Sequence, residues 1–179
     1  MKLLKEFTIP FVGLKVGKHL FEYEVNKAFF EHFEYEDFND VNINVDLELE
    51  KKSTLLELHF EISGWVNVNC DLTNEPYNQQ IENKFDLVVK FGDQYNDENI
   101  DILIIPHGEY EINIQQYIYE LIILAVPIKR LHPGIEDGSL DSEILEKLEE
   151  LSPKLKDKKD KEEDIDPRWN TLKKLLTDK

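Results

Sequence analysis

Cysteine is almost absent from this chain: Cys70 stands alone among 179 residues. A single thiol cannot close an intrachain disulfide, and it leaves no conventional cysteine-based metal site. Long apolar runs are missing as well. The densest stretch, residues 118–128, is interrupted by Glu120 and broken at Pro127, short of the ~18 apolar residues a membrane helix needs. Met1 to Leu14 shows no apolar signal core followed by a small-residue cleavage site, so the chain is expected to be cytoplasmic, without a membrane partner. Gly13 and Gly17 lack the pattern of a phosphate-cradling loop and the helix signal that must follow it. No Gly-x-Ser-x-Gly elbow occurs. His19, His32, His59, His107 and His132 are scattered, and none forms the i, i+4 pair with a nearby Glu of a helical zinc site. No nucleophile, base and orienting group stand out together. The expectation is a non-enzyme with no catalytic residue, metal or cofactor.

Positive charge is the other shortage. Lys and Arg number 21 against 38 Asp and Glu, for a net charge of −17. Residues 1–140 carry 26 acids and 11 bases, residues 141–166 carry 11 and 6, and residues 167–179 carry 1 and 4. The body is therefore strongly acidic and the last segment alone is net positive. Nucleic-acid affinity comes largely from Lys and Arg neutralising phosphates, and a body of this sign repels a polyanion at long range. DNA binding and non-specific RNA coating are disfavoured. A local RNA contact through a basic patch stays open, a basic protein partner is favoured, and solubility alone is the plainer reading of the charge.

What the chain does have is alternation. Val41, Ile43, Val45, Leu47 and Leu49 alternate with Asn42, Asn44, Asp46, Glu48 and Glu50, the period of a strand with one wet face. A turn at Lys51–Ser53 leads to Leu56, Leu58, Phe60 and Ile62, so the two runs read as an antiparallel hairpin. Gly64 suggests a bulge or bend before Trp65, after which Val66, Val68 and Cys70 resume the alternation. His59 falls on the polar face, and Cys70 reads as a small buried apolar residue. Residues 71–78 are turn-rich. Phe85, Leu87, Val89 and Phe91 form another strand closed by Gly92-Asp93, and Phe21, Tyr23 and Val25 an earlier one. Successive short strands without intervening helices indicate a curled antiparallel sheet or partial β-barrel.

The period changes after Gly108. Asn113 is a candidate N-cap with Gln116 in the capping-box position. Ile114, Ile118, Leu121, Ile122 and Ala125 follow at helical spacing until Pro127. A second helical stripe comprises Ile144, Leu145, Leu148 and Leu151. From Ser152 to Asp164 only Leu155 is large and apolar, which predicts a mobile charged tether. Asp166 then sits at an N-cap and Pro167 at the first helical position, opening a short C-terminal helix. The fold expected is α+β: a body over 1–134 with strands about 21–91 and a core helix about 114–125, then a helix over 135–151, a charged linker over 152–164 and a docking helix over 165–179.

Two places are candidate interaction sites. Lys129, Arg130, His132 and Pro133 form a basic island after the core helix, serving either helix-dipole compensation or a binding loop. Asp166, Pro167, Arg168 and Trp169, with Lys173 and Lys174, form the other. There Trp169 either packs back on the core or acts with Arg168 as an anchor, since Trp and Arg are frequent interface hot spots.

These residues, in order, resemble a bacterial family. Gly64 followed by Cys70-Asp71, then Glu111 to Ile114, Tyr119-Glu120-Leu121-Ile122, Pro127, His132-Pro133, and Asp166-Pro167-Arg168-Trp169 with Leu172 are similar to the large ribosomal RNA subunit accumulation (YceD-like) family. The opening Phe7 to Leu14 resembles its Bacteroidetes branch. The resemblance implies a cytoplasmic, non-enzymatic protein supporting accumulation of 23S rRNA. It also implies a setting near a small basic large-subunit ribosomal protein, whose gene commonly neighbours the family's. Gly64, Cys70, Asp71, Tyr119, Glu120 and Pro127 match as structural residues. Many members carry further cysteines in the first turn. Here that turn reads Asp71-Leu72-Thr73-Asn74. The partner implied is a basic ribosomal protein or a pre-large-subunit particle. The competing expectation, an RNA-processing enzyme or nuclease cofactor with a carboxylate-bound metal, finds no acidic trio of distinctive spacing.

Overall fold

The structure, a computed structural model, describes residues 4–136 and 143–151. The chain divides into two units, residues 1–141 and 142–179. In the first unit, a 3-10 turn at Lys5–Phe7 precedes β1 (Thr8–Ile9), and a second at Phe11–Gly13 precedes β2 (Gly17–Asn26). Helix α1 (Lys27–His32) leads to β3 (Asp40–Lys51), β4 (Leu55–Asn69), β5 (Pro76–Gly92), β6 (Asn96–Asn99), β7 (Ile102–Pro106) and β8 (Ile112–Asn113). Helix α2 (Gln115–Ala125) and the single turn α3 (Pro133–Glu136) follow. In the second unit, α4 (Glu143–Leu151) opens with Glu143 and Glu146 in its first turn, where carboxylates suit the positive end of the helix dipole.

The large sheet has the order β2-β3-β4-β5-β7-β6, and β1 pairs separately with β8. The long central strands follow directly from alternation. Val41, Ile43, Val45, Leu47 and Leu49 on β3, and Leu56, Leu58, Phe60, Ile62, Val66 and Val68 on β4, are all buried. Their neighbours carry the carboxylates and amides of the opposite face. A slip of one residue would turn every apolar side chain into water, so the register is held tightly. Leu47 pairs with Phe60, and Phe60 with Phe85. Helix α2 lies against β5 and buries Ile118, Leu121 and Ile122. Asn83 Nδ2 on β5 donates to the Leu121 carbonyl at 3.3 Å.

The α+β class is as expected, and the sheet is open, not closed into a barrel. The purely antiparallel expectation needs correction, because β5 and β7 run parallel. After Gly92 the chain first forms β6 and then returns as β7 between β6 and β5. That returning strand must point the same way as β5. The expectation of no intervening helix also fails. Asn26 Oδ1 accepts the Ala28 N–H at 3.0 Å and starts α1, whose Phe29 and Phe30 are buried. Gly64 marks no bulge: β4 runs through it in continuous register with Ile43 and Ile81. Its φ is +152°, and a Cβ there would run into the Asn42 carbonyl oxygen and lie 2.7 Å from Ile43 Cα. The glycine is needed for backbone approach.

The start of α2 differs in detail as well. Asn113 belongs to β8, and the helix cap is Ile114. Asn113 Oδ1 still accepts the Gln115 N–H at 3.1 Å. Gln116, however, donates to Glu120 at 2.6 Å, so no capping box forms. The strand pairing of Asn113 with Thr8 places it one residue ahead of the cap.

Candidate interaction site

Residues far apart in sequence meet at the end of β4. The turn after it is closed by Cys70 N–H to the Glu75 carbonyl (2.9 Å) and Asn74 N–H to the Cys70 carbonyl (2.8 Å). Asn74 takes φ of +59°, a left-handed conformation Asn tolerates well. The chain beyond α2 is then clasped onto this turn. Asp71 N–H donates to the Arg130 carbonyl at 2.8 Å, and Asp71 Oδ2 accepts the Arg130 N–H at 2.7 Å. The Arg130 side chain adds an ion pair to Asp71 at 3.4 Å. One residue earlier, Cys70 Sγ accepts the His132 N–H at 3.4 Å. The His132 ring packs edge-on to Tyr77 at 5.5 Å, and its Nδ1 accepts the Gly134 N–H at 3.0 Å. Burial pushes the Cys70 thiol up, but the Thr73 hydroxyl and the backbone N–H groups of His132, Thr73 and Leu72 hold it below its ordinary value.

The basic island thus has a structural partner that neither sequence reading named. No basic residue lies in the last turn of α2, and the guanidinium of Arg130 turns to Asp71. Lys129, Pro127 and Pro133 are exposed. Tyr119 on α2 is stacked on Phe33 with ring centroids 4.2 Å apart and planes within 8°. Phe30 and Tyr35 close around it. Burial, with Asp37 and Glu120 nearby, pushes the Tyr119 hydroxyl above its ordinary value. Glu120 points outward, holding Gln116.

A groove of about 740 Å³ opens beside α2, on the edge of the sheet formed by β5, β6 and β7. Phe85, Leu103, Tyr117 and Leu121 line its apolar part, and Asp97, Glu98, Glu109, Glu111 and Glu120 stand around it. Burial pushes Tyr117 up to about 12. Gln115, fully buried in the same wall, accepts the Leu4 N–H on Oε1 at 2.7 Å, while its Nε2 finds no acceptor among the described residues. On the wet face of the sheet, His59 is more than solvated. It contacts Asp86 and Glu61 (the latter at 3.1 Å), and Lys84 holds Glu61 at 2.6 Å. The bond to Asp86, then that to Glu61, raises the His59 pKa above 6.5. Among the described residues, no group of three or more His, Cys, Asp or Glu side chains gathers to hold a metal ion.

Residues 58–176 match a family described as the large ribosomal RNA subunit accumulation protein YceD. The chain belongs to the YceD family. No curated protein and no solved structure matches it. The family is named for accumulation of a ribosomal RNA and not for a reaction. The YceD match takes in Gly64, Cys70, Asp71, Tyr119, Glu120, Pro127, His132 and Pro133, and leaves out Phe7 to Leu14.

The YceD fold brings one set of these residues together. Cys70 and Asp71 hold Arg130 and His132, while Gly64 sits mid-sheet and Tyr119 anchors the α1 aromatic cluster. Asp166, Pro167, Arg168, Trp169, Lys173 and Lys174, with the 152–164 tether, lie outside the described residues. Sequence reasoning named Glu111, Asn113, Glu120 and Leu121 singly and missed the groove they line. Its carboxylates come from β6, the approach to β8 and α2, and each looks like an ordinary solvated charge where it stands. No helix among the described residues is long and apolar enough to cross a membrane.

Proposed function

We propose that the protein is a non-catalytic cytoplasmic factor that supports accumulation of 23S rRNA by binding a basic large-subunit ribosomal protein or a pre-large-subunit particle. The family match over residues 58–176 carries this reading. The charge distribution supports it: 26 acids against 11 bases in residues 1–140 favour a basic protein over bare nucleic acid. RNA contact is then local, through exposed Lys129 and the net-positive segment bearing Arg168, Trp169, Lys173 and Lys174.

Affinity purification of the full chain from cells at low and at high salt tests the proposal. Large-subunit proteins or precursor rRNA should enrich at low salt and decline at high salt, since exposed charge pairing is screened. Failure of any ribosomal protein, rRNA precursor or assembly particle to enrich at low salt overturns it.

A further inference from the structure

The groove beside α2 combines two properties. Part of its lining is apolar, and large apolar side chains stand exposed there: Leu124 is 79% exposed, Ile100 81% and Tyr95 60%. These three come from α2, the β6–β7 turn and the β5–β6 connection, so the apolar surface is assembled by the fold and not by one hydrophobic stretch. Around them, among the described residues, stand five carboxylates against the single cation Lys84. That lysine is already held by Glu61 at 2.6 Å. Exposed apolar surface rimmed by polar groups is an arrangement found at interaction sites.

We propose that this groove docks a basic amphipathic segment of a partner protein, its leucine-like side chains entering between α2 and β7 and its Lys or Arg flanks meeting the carboxylate rim. Charge complementarity selects the occupant. Nucleic acid would set phosphates against Asp97, Glu98, Glu109, Glu111 and Glu120. A helix laid into a groove presents an apolar stripe with charged margins, which complements this surface on both counts. The inference deepens the proposed function, on whose basic protein partner it rests, by giving that partner a surface.

The test uses the purified full chain and a synthetic amphipathic peptide of leucine and lysine, with a scrambled peptide of the same composition as control. Fluorescence anisotropy reads affinity at low and high salt. The amphipathic peptide should bind in preference to the scrambled one, more weakly as salt rises. Leu124→Glu and Glu111→Lys, both at exposed positions, should each weaken it by roughly tenfold or more, with circular dichroism unchanged. Equal binding of both peptides, or variants that bind as the parent does, overturns the proposal. So does tighter binding by a free peptide of residues 167–179, which would give the groove to the chain's own segment. Affinity purification with Leu124→Glu separates this inference from the function it refines. Ribosomal proteins retained by the variant sink the groove and leave the function standing, whereas a parent chain that enriches no ribosomal protein, rRNA precursor or assembly particle sinks the function, and the peptide measurement then judges the groove by itself.

Discussion

Asp71→Ala tests how the segment after α2 is held. The Asp71 carboxylate accepts the Arg130 N–H at 2.7 Å and meets the Arg130 side chain at 3.4 Å. A hydrogen bond to a charged group contributes about 1.5–3 kcal/mol. The Asp71 side chain is 37% exposed, so water re-satisfies much of what is lost and the lower end applies. The exposed ion pair adds only ~0.2–1 kcal/mol. The expected loss is about 1.5 kcal/mol, which lowers the melting midpoint of a chain this size by roughly 3–6 °C. Arg130→Ala keeps both main-chain bonds to Asp71 and loses only the longer contact, so about 0.5 kcal/mol or less is expected. Asp71→Asn retains an acceptor for the Arg130 N–H and should fall between the two. Urea unfolding followed by circular dichroism ranks the three. If Arg130→Ala costs more than Asp71→Ala, the guanidinium and not the backbone holds the clasp, and the reasoning is wrong.

Three further outcomes are expected. Gly64→Ala places a Cβ against the β3 backbone at φ of +152° and should destabilise by roughly 2–5 kcal/mol from strain and overpacking; a urea midpoint equal to the parent's would refute the close approach. His59 has a folded pKa raised by Asp86 and then Glu61, so its contribution to stability is complete below 6.5 and is lost as pH rises through the raised value. His59→Gln should remove that part of the decline in stability with rising pH, and an unchanged profile counts against the network. Tyr23 and Tyr117, both pushed up to about 12 by burial, should ionise last in a spectrophotometric titration, and Tyr117→Phe should remove part of that late component.

Much of the fold was legible because it is written in local periods. Alternation along β3 and β4 depends only on which face of a strand meets the core. The same holds for the apolar stripe of α2, and Pro127 ends that helix by a steric effect on its neighbour. Helix α1 escaped notice because six residues are too few to show a period. Gly64 was visible but its purpose was not: bulge and backbone contact ask for the same residue.

The sequence alone determined the acidic body, the two-faced strands, the core helix and the family to which the chain belongs. Each is a property of composition, of short-range spacing or of motif order. The tertiary structure decided the rest. It inserted β7 beside β5, a choice between sheet edges that no local pattern encodes. It joined Asp71 to Arg130 across 59 positions, clasping the candidate loop onto the turn after β4. It also gathered carboxylates from separate segments around one apolar groove. Individually they are solvated charges; only their convergence gives them a common potential.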